Sequence, residues 1–215
     1  MNRIRRAECA VALGLLLALL CSYASFFSAC ARLRQDVVRL HVLANSDAAA
    51  DQAVKLRVRD ALLESGSALF SGAATPENAA ALLTAQRAAL EQTANRVLAS
   101  CGMPYKASLT LTREFFTTRS YGSVTLPAGR YLAVKVILGE GAGRNWWCVM
   151  FPPLCLPAAT ANAADGYLSE AENAVLCADE RYEVRLKVVE LFESWKEKVR
   201  KHYAGTSELQ IKQKH

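Results

Sequence analysis

Residues 131–151, with the sequence YLAVKVILGEGAGRNWWCVMF, decide the fold that this 215-residue chain predicts. Tyr131 to Leu138 is apolar nearly throughout, which is typical of a strand buried in a sheet. A Gly-rich connection from Gly139 to Asn145 leads into a second strand, Trp146 to Phe151, which Pro152-Pro153 ends. Two such runs joined by a tight Gly-rich connection predict a β-hairpin.

The residues before this hairpin predict one strand and two helices. Val37 to Ala44 (VVRLHVLA) is a short β-rich run, and Asn45-Ser46-Asp47 after it are residue types that cap helices well. Apolar residues recur at helical spacing from Asp51 to Leu63. Thr75-Pro76 begins a second helix, because a capping residue is followed by proline at the first helical position, and Gly102 ends it.

After these helices the period changes to two. Tyr105 to Leu111 alternates apolar with polar residues, which predicts a strand with one solvated face. Residues 157–180 are rich in alanine, and an apolar stripe then marks a last helix: Val184, Val188, Leu191, Trp195 and Val199. We therefore predict an α+β fold in a single domain: a mainly antiparallel sheet of about four strands with helices packed on one face, in the order β-α-α-β-β-β-α.

The first 31 residues have the pattern of an export leader. Three arginines among the first six residues precede a run without charge from Cys9 to Ala31. The basic start, the apolar centre and the Ala29-Cys30-Ala31 end match a secretory signal cleaved after Ala31. At roughly 20 residues the run is also long enough to span a bilayer as an uncleaved anchor. Phe27-Ser28-Ala29-Cys30 resembles a lipoprotein processing box, although Phe is a poor first residue for one.

Each of these alternatives places the rest of the chain outside the cytoplasm. We expect residues 1–31 to be a signal peptide or N-terminal membrane anchor, and none of them to belong to the fold. Residues 32–203 are predicted to form the single domain, and residues 204–215 a basic, disordered tail.

The formal net charge of +6 is concentrated near the C-terminus. Residues 32–180 contain 14 basic and 14 acidic side chains, whereas residues 181–215 contain nine basic and five acidic ones. A nucleic-acid-binding domain would carry a basic patch with interleaved aromatic residues on its folded body. The neutral body therefore argues against nucleic acid as a partner, and the basic tail predicts contact with an anionic membrane surface or a solvated end.

Four cysteines follow the leader: Cys101, Cys148, Cys155 and Cys177. Outside the cytoplasm an even number of cysteines is compatible with disulfides, and we favour Cys148–Cys155, because the chain can fold back after Pro152-Pro153. The alternative is that both are buried thiols. A zinc site is not expected, since the chain has three histidines and no CxxC pair; no metal or cofactor is predicted.

The sequence offers little for catalysis. His41, Asp47 and Cys148 could form a nucleophilic triad, but a histidine inside an apolar strand is more often structural, and a disulfide sulfur is no hydrolytic nucleophile. Gly139 to Gly143 resembles a phosphate loop only superficially, because a strand follows it where a phosphate site needs a helix N-terminus.

Four phrases occur in order along the chain: RLHVLANSD (39–47), DQAVKLRVRD (51–60), LPAGRY (126–131) and GEGAGRNWWCVMFPPLC (139–155). Together they resemble the stage II sporulation protein R family of endospore-forming bacteria, over roughly residues 36–156. The phrase around NWWCVMFPPLC is long and unusual in composition, which makes it the most specific of the four.

The resemblance implies a role in signalling. Members of this family are made in the forespore and exported into the space between the two sporulation membranes. There they activate a membrane-embedded aspartic-type protease of the mother cell, which removes the pro-sequence from sigma factor E. The chain would then be a protease activator without catalysis, cofactor or small-molecule substrate of its own.

Two sets of residues are candidates for contacting the protease. Aromatic residues are enriched at interface centres, which selects Trp146, Trp147 and Phe151. The first set also includes Pro152 and Pro153, which follow them directly. The second set lies near the predicted strand–helix junction: His41, Asn45, Asp47, Lys55 and Arg59. Strand alternation puts Trp146 and Trp147 on opposite faces, so one of them is expected to be an exposed anchor unless both pack under other elements.

Two other functions fit the sequence. One is an exported hydrolase of cell wall or peptide that uses His41 and Asp47, which would require a free Cys148 or a metal. The other is a structural protein of the intermembrane space, tethered by an uncleaved leader and the basic tail.

Overall fold

The computed structural model describes residues 3–70, 75–121, 124–152, 168–176 and 183–212. The helices are α1 (Arg3–Asp36), α2 (Ala49–Phe70), α3 (Pro76–Ser100), α4 (Glu170–Leu176) and α5 (Glu183–Lys212). The strands are β1 (Val38–Leu43), β2 (Ala107–Phe116), β3 (Arg119–Tyr121), β4 (Val124–Leu126), β5 (Gly129–Leu138) and β6 (Asn145–Phe151).

A mixed four-stranded sheet with the strand order β2-β5-β1-β6 forms the centre of the fold. β2 runs antiparallel to β5, β1 runs parallel to β5, and β6 runs antiparallel to β1. β3 and β4 form a separate antiparallel pair. The predicted α+β class and the broad order of the elements are confirmed.

The predicted hairpin between β5 and β6 is wrong, because β1 lies between these two strands. The reason is the burial of β1 on both faces. Leu40 and Val42 are buried on one face, and Arg39 and His41 on the other. A strand buried in this way belongs in the interior of a sheet, where it has a neighbour on each side. Residues 139–144 therefore cross the end of β1 and do not form a tight turn.

Two helices cover the first face of the sheet. α2 packs against β1 and β6, and α3 packs against β2. The core between them is apolar: Val54, Val58 and Leu62 of α2 are buried together with Leu40 and Val42 of β1. Thr75 begins α3 as predicted. Its backbone N–H donates to Asn78 Oδ1 at 2.8 Å, which is one half of a capping box.

Helices also cover part of the second face, which goes beyond the expected arrangement with helices on one face. The C-terminal part of α1 packs with β5 and α4, and α5 packs with β5. This second core contains Leu33, Tyr131, Ala133, Val149 and Val189. Because the sheet residues among them are apolar, this part of the face must be covered to be kept from water.

α1 continues through the predicted cleavage point after Ala31 without a break. Phe26, Ala29 and Cys30 are buried in the second core. This differs from the expectation that none of residues 1–31 belongs to the fold, because the leader pattern says nothing about what packs on its last turns. Residues Ala7–Asp36 contain an 18-residue stretch with a mean hydropathy of 2.2, and by length and composition they fit a membrane span or an export signal.

α5 differs from its prediction in orientation and in length. Of the predicted stripe, Val188, Leu191 and Trp195 are exposed, and the buried positions are Leu186, Val189, Glu193 and Glu197. The side that faces the domain is held by two ion pairs, Arg34–Glu193 at 3.4 Å and Arg130–Glu197 at 3.3 Å. The helix also extends to Lys212, where the sequence predicts a disordered tail from residue 204.

Candidate functional site

A polar network crosses the part of the second sheet face next to the helix-covered part. We call it the His41 cluster: His41 on β1, Glu114 on β2, Lys135 on β5, and Asn145 and Trp147 on β6. The strand register brings them together, because His41 is the direct neighbour of both Lys135 and Trp147. Each of the four strands therefore contributes at least one side chain to the cluster.

The cluster is closely hydrogen-bonded. His41 Nδ1 lies 2.7 Å from Glu114 Oε2, and His41 Nε2 lies 2.9 Å from Asn145 Oδ1. Lys135 Nζ donates to the other carboxylate oxygen, Glu114 Oε1, at 2.6 Å. Trp147 stacks on the imidazole with ring centroids 3.6 Å apart. Both ring nitrogens of His41 are therefore hydrogen-bonded to side chains of neighbouring strands.

Electrostatics favour the ionised form of Glu114. Burial raises the pKa of this carboxyl, but the hydrogen bonds and charges of Lys135 and His41 outweigh burial and hold its pKa below the usual range. The ionised Glu114 carboxylate is thus shared between Lys135 and His41, each of which contacts one of its oxygens.

Arg39 lies beside the cluster on the same sheet face and is fully buried. Its Nε donates to the carbonyl oxygen of Cys148 at 3.1 Å, and its Nη2 donates to the hydroxyl of Tyr121 at 2.5 Å. The guanidinium lies 4.4 Å from the ring centroid of Phe116 and 5.3 Å from that of Tyr131. Burial lowers its pKa. The aromatic rings supply cation–π stabilisation in this pocket.

The predicted capping segment Asn45-Ser46-Asp47 meets the Gly-rich connection, and we call this contact the loop junction (residues 44–47 against 139–144). Gly143 N donates to the carbonyl oxygen of Ala44 at 2.9 Å, and Ala142 N donates to that of Asn45 at 3.1 Å. Glu140 N donates to Asn45 Oδ1 at 3.0 Å. Two segments about 95 residues apart are thereby fixed to each other across the end of β1.

Asp51, in the first turn of α2, binds two residues of the loop junction. Its carboxylate accepts hydrogen bonds from Ser46 Oγ at 2.6 Å, the Tyr105 hydroxyl at 2.5 Å and Asn45 Nδ2 at 2.8 Å. These bonds lower the pKa of Asp51, that from Ser46 most of all. Burial and the nearby carboxylate raise the pKa of Tyr105.

The predicted candidates from both sets converge on one exposed surface above α2. Trp146 is 36% exposed, and the guanidinium of Arg59 lies 4.5 Å from its ring centroid. One helical turn earlier, Lys55 Nζ donates to the carbonyl oxygen of Arg144 at 3.0 Å. Asp47 Oδ1 accepts from the backbone N–H of Arg144 at 2.8 Å. We call this the Trp146 surface: Asp47, Arg144 and Trp146 are exposed and Arg59 is partly exposed, while Lys55 is buried against the Arg144 backbone.

The remaining candidates occupy other environments. Phe151 is buried against Phe70, with ring centroids 4.8 Å apart, and Pro152 is also buried. Trp147 is half-buried and packs edge-on against Phe116 at 4.9 Å. Pro153 lies outside the described residues. The two tryptophans thus lie on opposite faces, and Trp146 is the more exposed.

The triad considered from sequence does not assemble. The His41 nitrogens contact Glu114 and Asn145, while Asp47 contacts Arg144 at the loop junction. Cys148 is buried in the core of the opposite sheet face. Cys155 and Cys177 lie outside the described residues, so the disulfide between Cys148 and Cys155 stays a prediction. Among the residues that the structure describes, no three His, Cys, Asp or Glu side chains are grouped as a metal site.

Sequence reasoning missed Glu114 and Lys135. A signal for them exists, because Lys135 and His41 each stand between two apolar residues of a strand. A polar group in such a strand needs a partner on a neighbouring strand. Which carboxylate supplies that partner depends on the strand order, and the hairpin prediction had the order wrong.

These features define a class of protein: an α+β domain behind an apolar helix of the export or anchor type, with polar networks that fix two loops and an exposed tryptophan. The sequence profile of one family, described as stage II sporulation protein R, matches residues 34–161. That range is more than half of the chain, and the chain belongs to this family.

A curated relative agrees with the family match. Stage II sporulation protein R of Bacillus subtilis (strain 168) is 35% identical over 120 residues, which make up 56% of this chain and 54% of the relative. The chain thus matches about half the length of this relative. No solved structure matches the chain.

Proposed function

We propose that this chain is an exported signal between the two compartments of the sporulating cell. It acts from the space between the two membranes on a membrane-embedded aspartic-type protease, and this protease then matures pro-sigma factor E. The chain acts as a ligand in this proposal, and the protease performs the chemistry.

Membership of a stage II sporulation family supports the biological setting. The apolar helix α1 supports export or anchoring, because it is long enough to cross a membrane. His41 contacts Glu114 and Asn145, whereas Asp47 contacts Arg144, which argues against the rival hydrolase that would use His41 and Asp47 together.

The observation that carries the proposal is the exposed pairing of Trp146 with Arg59. Trp and Arg are the residue types most enriched among interface hot spots. Hydrogen bonds from Arg144 N to Asp47 Oδ1 and from Lys55 Nζ to the carbonyl oxygen of Arg144 fix the backbone two residues before Trp146. An anchor that is rigid before binding loses less conformational entropy on binding, which strengthens the interaction.

Activation requires that the ligand bind the active arrangement of the protease more tightly than the inactive one. A preference of about 3 kcal/mol, equal to roughly 150-fold, would be enough for a switch. We propose that the Trp146 surface supplies this preference.

The test is a two-compartment processing assay with the full chain, since Phe26, Ala29 and Cys30 belong to the core. The chain is exported in cells that carry the sporulation protease and pro-sigma factor E, and processed sigma factor is quantified by immunoblot. We expect processing only when this chain is present. Absence of processing, with folded protein confirmed outside the cell, would contradict the proposed function.

The surface is tested separately with Trp146→Ala and Arg59→Ala. Each change is expected to reduce processing by about tenfold, the effect of a hot-spot residue worth 1–2 kcal/mol. Arg96→Ala is the matched control, because Arg96 is an exposed arginine whose side chain contacts Thr93 within α3. If both variants are exported, folded and fully active, the Trp146 surface is not the contact surface.

A further inference from the structure

α5 has one face toward the domain and an apolar face toward the outside. The inner face consists of Leu186, Val189, Glu193 and Glu197, all of them buried. The outer residues are large and apolar: Val188 is 38% exposed, Leu191 71%, Phe192 46% and Trp195 60%. At 100° per residue these four side chains fall within an arc of about 100°, on the side opposite the inner face.

Basic side chains border this apolar arc on both sides. Lys187 and Lys198 lie along one edge, and Arg185 and Lys196 along the other, by the same helical spacing. An apolar stripe between two rows of lysine and arginine is the pattern of a helix that lies in the interface of an anionic membrane. Long basic side chains can reach lipid headgroups there while their stems stay on the apolar side.

The stripe is continuous with the exposed apolar surface of α1. Phe192 packs on Phe27 with ring centroids 5.9 Å apart, and Arg185 Nη2 donates to Ser22 Oγ at 3.3 Å. α5 therefore runs beside the last turns of the uncharged run of α1. Before these turns, residues such as Leu13, Leu16 and Leu20 are exposed.

The position along α1 fits the membrane boundary. A span of about 17 to 20 residues counted from Cys9 ends between Ser25 and Ser28. Phe27, the contact of Phe192, lies within this interval. Phe192 is thereby placed at headgroup level. Val188 and Leu191 lie on the hydrocarbon side of it, and Trp195, less than one helical turn further, lies in the interface, where tryptophan is enriched.

We propose that the apolar face of α5 is a lipid-binding surface, which lies in the outer interface of an anionic bilayer beside the α1 anchor. The residues that contact lipid are Val188, Leu191, Phe192 and Trp195, and the flanking basic side chains bind the headgroups. A bilayer explains the continuity with α1 and the two basic borders together. The domain is then held against the membrane at two points, and its orientation is fixed.

Trp195 is a built-in probe of this contact. The full chain is reconstituted into vesicles of phosphatidylcholine and phosphatidylglycerol, and tryptophan emission is quenched either by brominated lipid or by aqueous iodide. The Trp195→Phe variant is measured in parallel, and the difference between the two isolates Trp195 from Trp146 and Trp147. The protease is not involved, so the result does not depend on the proposed function.

We expect brominated lipid to remove about half or more of the Trp195 emission, and iodide to have little effect, because the ring lies at the interface. Leu191→Asp should reduce the lipid quenching of Trp195 at least about twofold, since a carboxylate disfavours the apolar interface. Gln92→Asp on the exposed side of α3 is the matched control and should leave it unchanged.

Two results would overturn the proposal. Quenching by iodide and not by lipid would mean that the α5 face is in water. Protection from both quenchers, together with a dimer on chemical crosslinking, would mean that a second copy of the chain covers it. Because Leu191 and Trp195 are exposed, the substitutions leave the core intact, and circular dichroism of each variant checks this.

Discussion

Glu114 is the residue on which the His41 cluster depends. One carboxylate oxygen binds Lys135 and the other binds His41. Removing one member of a partly buried charged network leaves its partners without compensation, which costs more than the network gains on forming. The His41 cluster therefore stabilises the pairing register of strands β2, β5 and β1.

We expect Glu114→Gln to lower the free energy of unfolding by about 2–3 kcal/mol at pH 7. The folded-state pKa of Glu114 is lowered, so its contribution is fully present above the ordinary glutamate pKa of about 4.3. It is lost as the pH falls through the lowered pKa, because the unfolded chain then binds the proton more tightly. The difference between the parent chain and the variant should shrink in acid.

Urea denaturation of both chains at pH 7 and at successive lower pH values measures this. Glu140→Gln is the matched control, because Glu140 is exposed at the loop junction. A stability difference for Glu114→Gln that is independent of pH would contradict the charged role of the carboxylate.

At the scale of elements, the loop junction explains why the Asn45-Ser46-Asp47 segment and the Gly-rich connection (residues 139–144) occur in the same chain. The Asn45-Ser46-Asp47 segment contacts the first turn of α2 through the Asp51 carboxylate, and it also binds the connection between β5 and β6. The predicted capping of α2 by these residues stays a prediction. Gly143 fits there because its Cα faces the carbonyl oxygen of Ser46, and a β-carbon would collide with that atom. The glycine provides close approach of two backbones.

Gly143→Ala is expected to destabilise the fold by about 2 kcal/mol, the usual cost of forcing one extra methyl into a filled site. It should also reduce processing in the two-compartment assay if the loop junction positions Trp146. Ala142→Ser, at an exposed neighbouring position, is the control. Thermal unfolding of the parent chain and the two variants measures the loss of stability. Equal melting temperatures would mean that contact between the two loops does not stabilise the fold.

How much of the fold the sequence predicts can be seen from the same elements. Periodicity located α2, α3 and the alternating strand β2, since these depend on local patterns. It also located the strands β5 and β6 but failed to predict their pairing, because a strand inserted from nearly 90 residues earlier leaves no local trace. It also failed for the facing of α5, where an apolar stripe was visible but the two ion pairs that turn it outward depend on Arg34 and Arg130.

The candidate site divides in the same way. Trp146 and Arg59 were both named from sequence, yet in separate sets, and only the packing of α2 on β6 brings them together. Glu114 was not named, because its role exists only once β2 is placed two strands from β1. Residue types predict which side chains can take part in a site, whereas the packing and the strand order determine which of them contact each other.

For the whole molecule, α1 joins two functions that are usually separate. Its first part is exposed and apolar, and its last turns are core: Leu33 and Cys30 are fully buried. A helix that is partly leader and partly core makes the stability of the domain depend on residues ahead of the predicted cleavage point.

Phe26→Ala in the full chain is therefore expected to lower the free energy of unfolding by about 3 kcal/mol, as for other buried aromatic side chains. Leu16→Ala, at an exposed position of the same helix, should change it by less than about 0.5 kcal/mol. Both are measured by thermal unfolding in the same detergent. Equal effects of the two substitutions would show that α1 contributes to the fold no more at its end than at its centre.

The central position of β1 has a consequence for export. Its two neighbours in the sheet lie far along the chain, with Val38 opposite Leu132 on one side and Phe151 on the other. Contacts between residues so distant in sequence form slowly, because a long loop must close first. A chain that crosses a membrane from its N-terminus therefore delivers β1 well before either partner, and the sheet cannot assemble until about two thirds of the sequence has passed. In the proposed export, this topology would keep the sheet unassembled until most of the chain has crossed the membrane.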